Sequence, residues 1–224
     1  MMVILVRHGE ATHHTLNLTG GWTDSDLTTK GKMQIQLLAD KLAKDFAQPS
    51  NFRILTSDLK RSVESAVIIA KGLNFKDELE LCPFLREKNN GIAAGLSESE
   101  AKKLYMKPES LKDLMHQNYP GGETRKEFFS RCVNGMLGYA DFENENLIIV
   151  AHKGTIQNLI FSWLGLDIED VSEYNFSFDI LPASISVLGI NKWREHAVFL
   201  LNDTSHLHVG LGYGIRDYKY YKKS

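Results

Sequence analysis

Three short, nearly uninterrupted apolar runs constrain this chain more than any other feature: Met2–Val6 (MVILV), Phe52–Thr56 (FRILT) and Leu147–Ala151 (LIIVA), the last being the clearest. A run of this length without polar alternation has no face suited to water, so each reads as a strand covered on both sides. The intervening segments carry apolar residues at helical spacing. Ile35, Leu38, Leu42 and Phe46 share one face within 28–47, and Ile156, Leu159, Ile160 and Trp163 share another within 154–164. Thr28 or Thr29 is the expected cap of the first of these helices, and Pro49 prevents its continuation. Ser57 or Asp58 is the expected cap of a helix running to Lys71 and ended by Gly72. A further helix is predicted over 123–139, and further strands over Leu79–Cys82, Ser184–Ile190 and His196–Leu201.

Strands alternating with helices imply the α/β class: a three-layer α/β/α domain around a mostly parallel sheet. The expected organisation is a single domain over 1–224, with a glycine-rich, then charged excursion over about 88–122 forming a cap-like insertion. Short helical pieces are predicted within it near 97–106 and 108–117. Tyr119-Pro120-Gly121-Gly122 is a turn signal. Residues 8–27 read as a loop, and 211–224 as a basic, tyrosine-rich tail.

Lys and Arg total 26 against 28 Asp and Glu, a formal net charge of −2 with no basic half. This argues against nucleic acid as a partner, because phosphate-backbone binding needs a concentrated basic face. No stretch approaches the roughly 20 apolar residues of a membrane helix, and the apolar N-terminal run is shorter than a signal peptide requires. Cys82 and Cys132 form no C-x-x-C pair and read as free thiols. A soluble, cytoplasmic chain acting on a small partner is the expectation; oligomeric state is left open.

In open α/β sheets, sites form beyond the carboxyl ends of the strands. Arg7-His8-Gly9-Glu10 follows the first predicted strand and Ser57-Asp58-Leu59-Lys60-Arg61 the second. Arg86-Glu87 follows the third, and His152-Lys153-Gly154 follows LIIVA. Two histidines, several cations and a carboxylate on one rim suit phosphoryl transfer, which needs positive charge around the equatorial oxygens. Arginine offers a planar fork to phosphate. An unprotonated histidine can attack phosphorus, and nearby guanidinium groups disfavour its protonation. Gly9 is expected to admit the phosphate, and Glu87 to protonate the leaving oxygen. His13 and His14 beside His8 raise a metal reading, but adjacent histidines usually point apart and no H-E-x-x-H spacing exists. No metal is expected. G-x-S-x-G and G-x-x-x-x-G-K-[ST] are both missing from the sequence, which removes the serine-hydrolase and P-loop readings.

The opening Leu5-Val6-Arg7-His8-Gly9-Glu10-Ala11-Thr12 resembles the R-H-G signature of the histidine phosphatase superfamily, whose members are phosphoglycerate mutase-like. The likeness continues in order through Gly21-Trp22-Thr23-Asp24, Ser57 to Ala66, Leu85-Arg86-Glu87 and Pro120-Gly121-Gly122-Glu123-Thr124. It then runs through Val150-Ala151-His152-Lys153-Gly154 and Asn202-Asp203-Thr204-Ser205-His206-Leu207. It covers about residues 1–210. The resemblance implies His8 as a phosphorylated nucleophile, with Arg7, Arg61 and His152 cradling the phosphate. It also implies Glu87 as proton donor, no metal or organic cofactor, and a small phosphorylated substrate.

The chain departs from the family pattern at two places. His14 stands where mutase members carry a phosphate-touching asparagine, with Asn17 three residues on as a substitute. Lys153 replaces a small residue after the second histidine. His14, Asn17, Gly21 and Lys153 are therefore candidate substrate-binding residues. Mutase members also carry R-x-Y after the glutamate and a later arginine pair. This chain has Lys88-Asn89-Asn90 and no Arg-Arg between 100 and 120. A phosphatase is thus favoured over a phosphoglycerate mutase. A non-catalytic phosphate-binding protein is the third reading, opposed by an acid beside a nucleophile.

Overall fold

A computed structural model describes residues 1–46, 52–110, 112–141, 144–175, 177–208 and 210–213. Pro49 and most of the tyrosine-rich tail lie outside the described residues. Six strands form one sheet in the order β3-β2-β4-β1-β5-β6. They are β1 (Met2–Arg7), β2 (Phe52–Thr56), β3 (Glu80–Leu81), β4 (Asn146–Ala151), β5 (Ile185–Ile190) and β6 (His196–Asp203). The pairs β1–β4, β2–β4 and β2–β3 are parallel, and β5 and β6 close one edge as an antiparallel pair beside β1. The apolar runs are central because they can be buried on both faces. Alternate residues of β1 and β4 point into two cores, one holding Val3, Leu5, Leu147 and Ile149, the other Ile4, Val6, Ile148 and Val150.

Helices cover both faces: α1 (Thr12–Thr15), α2 (Thr29–Asp45), α3 (Lys60–Gly72), α4 (Glu98–Leu104), α5 (Arg125–Leu137), α6 (Lys153–Trp163) and α7 (Ile168–Tyr174). The faces of α2 and α3 pack into the second core, and α5 and α6 into the first. Thr28 caps α2 as expected, its side chain accepting from Gly31 N at 2.9 Å. Among the described residues no helix is long and apolar enough to cross a membrane.

Several expectations are corrected. Neither Ser57 nor Asp58 caps α3, whose N-cap is Leu59. Ser57 Oγ instead accepts from Leu59 N, and Asp58 is held by Arg86 at 2.7 and 2.5 Å. Among the described residues of 108–117 no helix forms. There Ser110 Oγ and Asp113 Oδ1 accept from Lys112 N and Met115 N, and these local side-chain bonds compete with a helical ladder. The 8–27 segment contains the single turn α1. The sequence reading also missed α7, although Asp167 and Asp170 form a capping box at its start.

Candidate active site

Parallel pairing of β1 with β4 places Arg7 opposite Ala151. The residues that follow, His8 and His152, therefore leave the sheet side by side, and His8 N donates to Ala151 O at 3.0 Å. Their ring centroids lie 5.1 Å apart, about one strand spacing. Arg61, on the first turn of α3 behind β2, reaches the same point. The three residues are 2%, 1% and 1% exposed for His8, Arg61 and His152 respectively.

The hydrogen bonds fix the tautomer of His8. Nδ1 lies 2.7 Å from the Gly9 carbonyl, which only accepts, so Nδ1 carries the proton. Arg61 Nε donates to Nε2 at 3.3 Å, so Nε2 presents a lone pair to the guanidinium. Burial, then the charges of Arg61, His152, Arg7 and His14, hold the His8 pKa well below its ordinary 6.5. Burial, then Arg61 and Arg7, do the same to His152. The neutral imidazole is thus the resting form of both.

Arg61 is oriented by two backbone carbonyls, Thr23 O at 2.6 Å and Gly21 O at 2.8 Å. Arg7 donates from Nη1 to Ile180 O at 2.6 Å, and its Nη2 lies 3.3 Å from His14 Nε2. Both guanidinium pKa values are lowered, by burial first, that of Arg61 to about 10. Arg7 Nε and both ring nitrogens of His152 are buried without a hydrogen-bond partner. Unpaired buried polar atoms cost free energy. Here they belong to His152, whose ring lies beside that of His8, and to Arg7, whose charge acts on His8, and a polyatomic anion could satisfy them.

Glu87 approaches from β3. Its Oε2 accepts from Gly154 N at 3.0 Å and its Oε1 from Lys88 N at 2.8 Å, so both oxygens act as acceptors. Gly154 is required there, because a Cβ would stand 2.5 Å from Glu87 Oε1 and 2.8 Å from Phe128. The role expected of Gly9 is corrected. A Cβ on Gly9 would strike Gly31 O at 2.5 Å, so this glycine serves close packing against α2.

The four candidate substrate-binding residues divide. His14 is at the site: its ring stacks near-parallel to His8 at 5.7 Å and its Nδ1 accepts from Ala11 N. Gly21 contributes through the carbonyl that holds Arg61. Asn17 does not join them. It is exposed at φ 51°, and its carbonyl accepts from Glu98 N at the start of α4. Lys153 forms an ion pair with Asp179 at the rim. His13 and His14 do not point apart; their centroids are 4.0 Å from each other. His13 meets Ser25 Oγ at 2.8 Å, and burial and the two arginines lower its pKa to about 3. Among the described residues no set of three or more His, Cys, Asp or Glu side chains is arranged to hold a metal ion.

Sequence reasoning missed Arg131. Trp22 Nε1 donates to Glu87 O at 2.7 Å. Arg86 pairs with Asp58 and lies 4.7 Å from the Trp22 ring.

The family model described as the histidine phosphatase superfamily, branch 1, matches residues 3–204. Phosphoglycerate mutase-like protein 4 of Arabidopsis thaliana is 31% identical over 163 residues, 70% of this chain and 68% of that protein. Phosphoserine phosphatase 1 of Hydrogenobacter thermophilus is 28% identical over 211 residues, 92% of this chain and 93% of that protein. Among solved structures, the alpha-ribazole phosphatase from Shigella flexneri superposes with a TM-score of 0.73 at 22% identity. It covers 91% of this chain and 97% of that one, a likeness of fold.

Proposed function

This chain belongs to the histidine phosphatase superfamily, branch 1, and on that premise we propose that it hydrolyses a small phosphate monoester through a phosphohistidine on His8. The observation that carries the proposal is the Nδ1–H tautomer of His8, whose Nε2 lone pair faces Arg61, with the unpaired ring of His152 centred 5.1 Å away.

In the first step Nε2 attacks phosphorus in line with the ester oxygen. The new N–P bond forms as the P–O bond to the alcohol breaks. Arg7, Arg61 and His152 take the equatorial oxygens, where charge is spread in the transition state. Glu87, protonated, gives its proton to the departing oxygen, exchanging one of its backbone bonds to do so. In the second step Glu87, now a carboxylate, takes a proton from water as the water oxygen attacks phosphorus. The N–P bond breaks and His8 is restored. The sum is ester plus water giving alcohol plus phosphate, with no metal or organic cofactor in either step.

Residues 88–122 are proposed as a cap that selects the alcohol. Their Leu96 and Ser97 lie along Leu18 and Thr19 of the loop that leads to the Arg61-holding carbonyls. His14 is proposed as a further phosphate contact, in the place of the mutase asparagine.

The competing mutase reading draws on the Arabidopsis relative. Against it stand Lys88-Asn89-Asn90 and the missing arginine pair. Phosphoserine is the first substrate to assay, because the Hydrogenobacter phosphoserine phosphatase aligns over nearly the whole of both chains. A panel of phosphorylated metabolites, with mutase activity primed by 2,3-bisphosphoglycerate measured in parallel, tests the proposal. Release of inorganic phosphate without isomerised product is expected. Isomerisation faster than release would make the chain a mutase, and phosphate binding without turnover would make it a binding protein.

A further inference from the structure

We infer that Arg131 is a positioning residue for the proton donor: paired with Glu123, it clamps the irregular segment around Glu87 so that this carboxyl is held at Gly154 N, two residues beyond His152. The inference rests on the assignment of Glu87 as the acid.

The stretch 84–89 begins inside the 3-10 turn Pro83–Leu85 and from Arg86 on lies in no helix or sheet, so no ladder fixes its course there. Three of its carbonyls turn toward one guanidinium on α5. Arg131 Nη1 donates to Phe84 O at 2.9 Å and to Arg86 O at 3.1 Å. Nη2 donates to Glu87 O at 3.1 Å. The remaining donors go to Glu123, Nε to Oε1 at 2.6 Å and Nη2 to Oε2 at 2.9 Å. These bonds account for all five N–H groups of the guanidinium, a fork that lysine cannot reproduce.

Glu123 grips the far side of the same segment. Its Oε2 accepts from Asn89 N at 2.8 Å, and its own N–H donates to Asn89 O at 2.9 Å. The pair therefore holds the chain on both sides of Glu87. Aromatic rings flank the guanidinium, Phe128 at 5.3 Å and Trp22 at 5.8 Å, and Trp22 Nε1 shares the Glu87 carbonyl with Arg131. None of these Arg131 bonds reaches His8, Arg61 or His152; the histidines are set by β1 and β4, and Arg61 by α3 and the Gly21 and Thr23 carbonyls. Loss of the clamp should therefore displace the acid and leave the nucleophile in place.

The test compares kcat/KM for a phosphate ester whose alcohol leaves without a proton, 2,4-dinitrophenyl phosphate, with that for an alkyl phosphate that needs one. Glu87→Gln is expected to lose on the order of 10²-fold or more on the alkyl ester and little on the dinitrophenyl ester. Arg131→Met should show the same selectivity, with a loss of about 10-fold or more confined to the alkyl ester. The double variant should be no worse than Glu87→Gln alone, since both changes act through one group. Glu123→Gln keeps side-chain length but turns an acceptor into a donor, and it carries the same test if Arg131→Met does not fold. Equal losses on both esters, or losses that multiply in the double variant, would overturn the clamp while leaving Glu87 as the acid. A Glu87→Gln variant without selectivity would overturn the acid assignment and the clamp with it.

Discussion

The two halves of the site are finished differently. On the phosphate side, Arg7 Nε and both nitrogens of His152 are buried with no hydrogen-bond partner. On the acid side every donor of Arg131 is used, and both oxygens of Glu87 accept backbone N–H groups. Leaving such atoms unpaired costs about 1–3 kcal/mol each, a cost that the oxygens of the proposed phosphate would relieve. Saturated groups mark a frame that holds its geometry with or without ligand.

If that contrast is right, variants should separate by half. His8→Ala removes the attacking nitrogen and should cost on the order of 10⁴-fold or more in turnover, with the fold retained by circular dichroism. Turnover near the wild-type rate would break the contrast at its centre. Arg61→Met removes a donor from the transition-state oxygens, and a loss of about 10²–10³-fold in kcat is expected.

Vanadate, a mimic of five-coordinate phosphorus, should fill the unpaired side. At about 100 times its Kd it should stabilise the fold by roughly 2.7 kcal/mol, read as a rise in Tm. That rise should shrink in Arg61→Met and persist in Arg131→Met; the opposite pattern would put the anion on the wrong half.

The pH dependence of stability follows from His8, His13 and His152, all held below 6.5 in the fold. Below about pH 6.5 the unfolded chain binds protons that the folded chain refuses. Stability is therefore present above that pH and is lost as pH falls, by up to ~1.4 kcal/mol per pH unit for each histidine. For His13 the loss continues toward its folded value of about 3. Denaturant titrations at pH 7 and pH 5 should show the drop, and bound vanadate should not abolish the share that belongs to His13. The smallest effect is that of EDTA, which should leave activity unchanged; strong inhibition would return the His8, His13 and His14 trio to a metal reading.

The same division explains what could be read from the sequence. The phosphate half was legible because His8, Arg61 and His152 each follow a strand whose apolar run is visible without alignment. Parallel pairing then brings their ends together, and the R-H-G likeness gave them roles. On the acid half Glu87 was legible after the third strand, but its frame was not, because Arg131 acts on backbone carbonyls, and nothing in residue order says which carbonyls will converge. Trp22 and Glu123 were hidden for the same reason. Asn17 failed as a substitute ligand because a left-handed turn faces it outward. The helix expected over 108–117 is missing among the described residues because Ser110 and Asp113 offer local side-chain acceptors that compete with a ladder.

The phosphoenzyme can be caught directly. Brief exposure to a 32P-labelled substrate, a quench in base and digestion should place the label on the peptide bearing His8. It should survive alkali, be lost in acid and be missing from His8→Ala. Label on a serine, a cysteine or a carboxylate, or label undiminished in His8→Ala, would contradict a mechanism built on that imidazole.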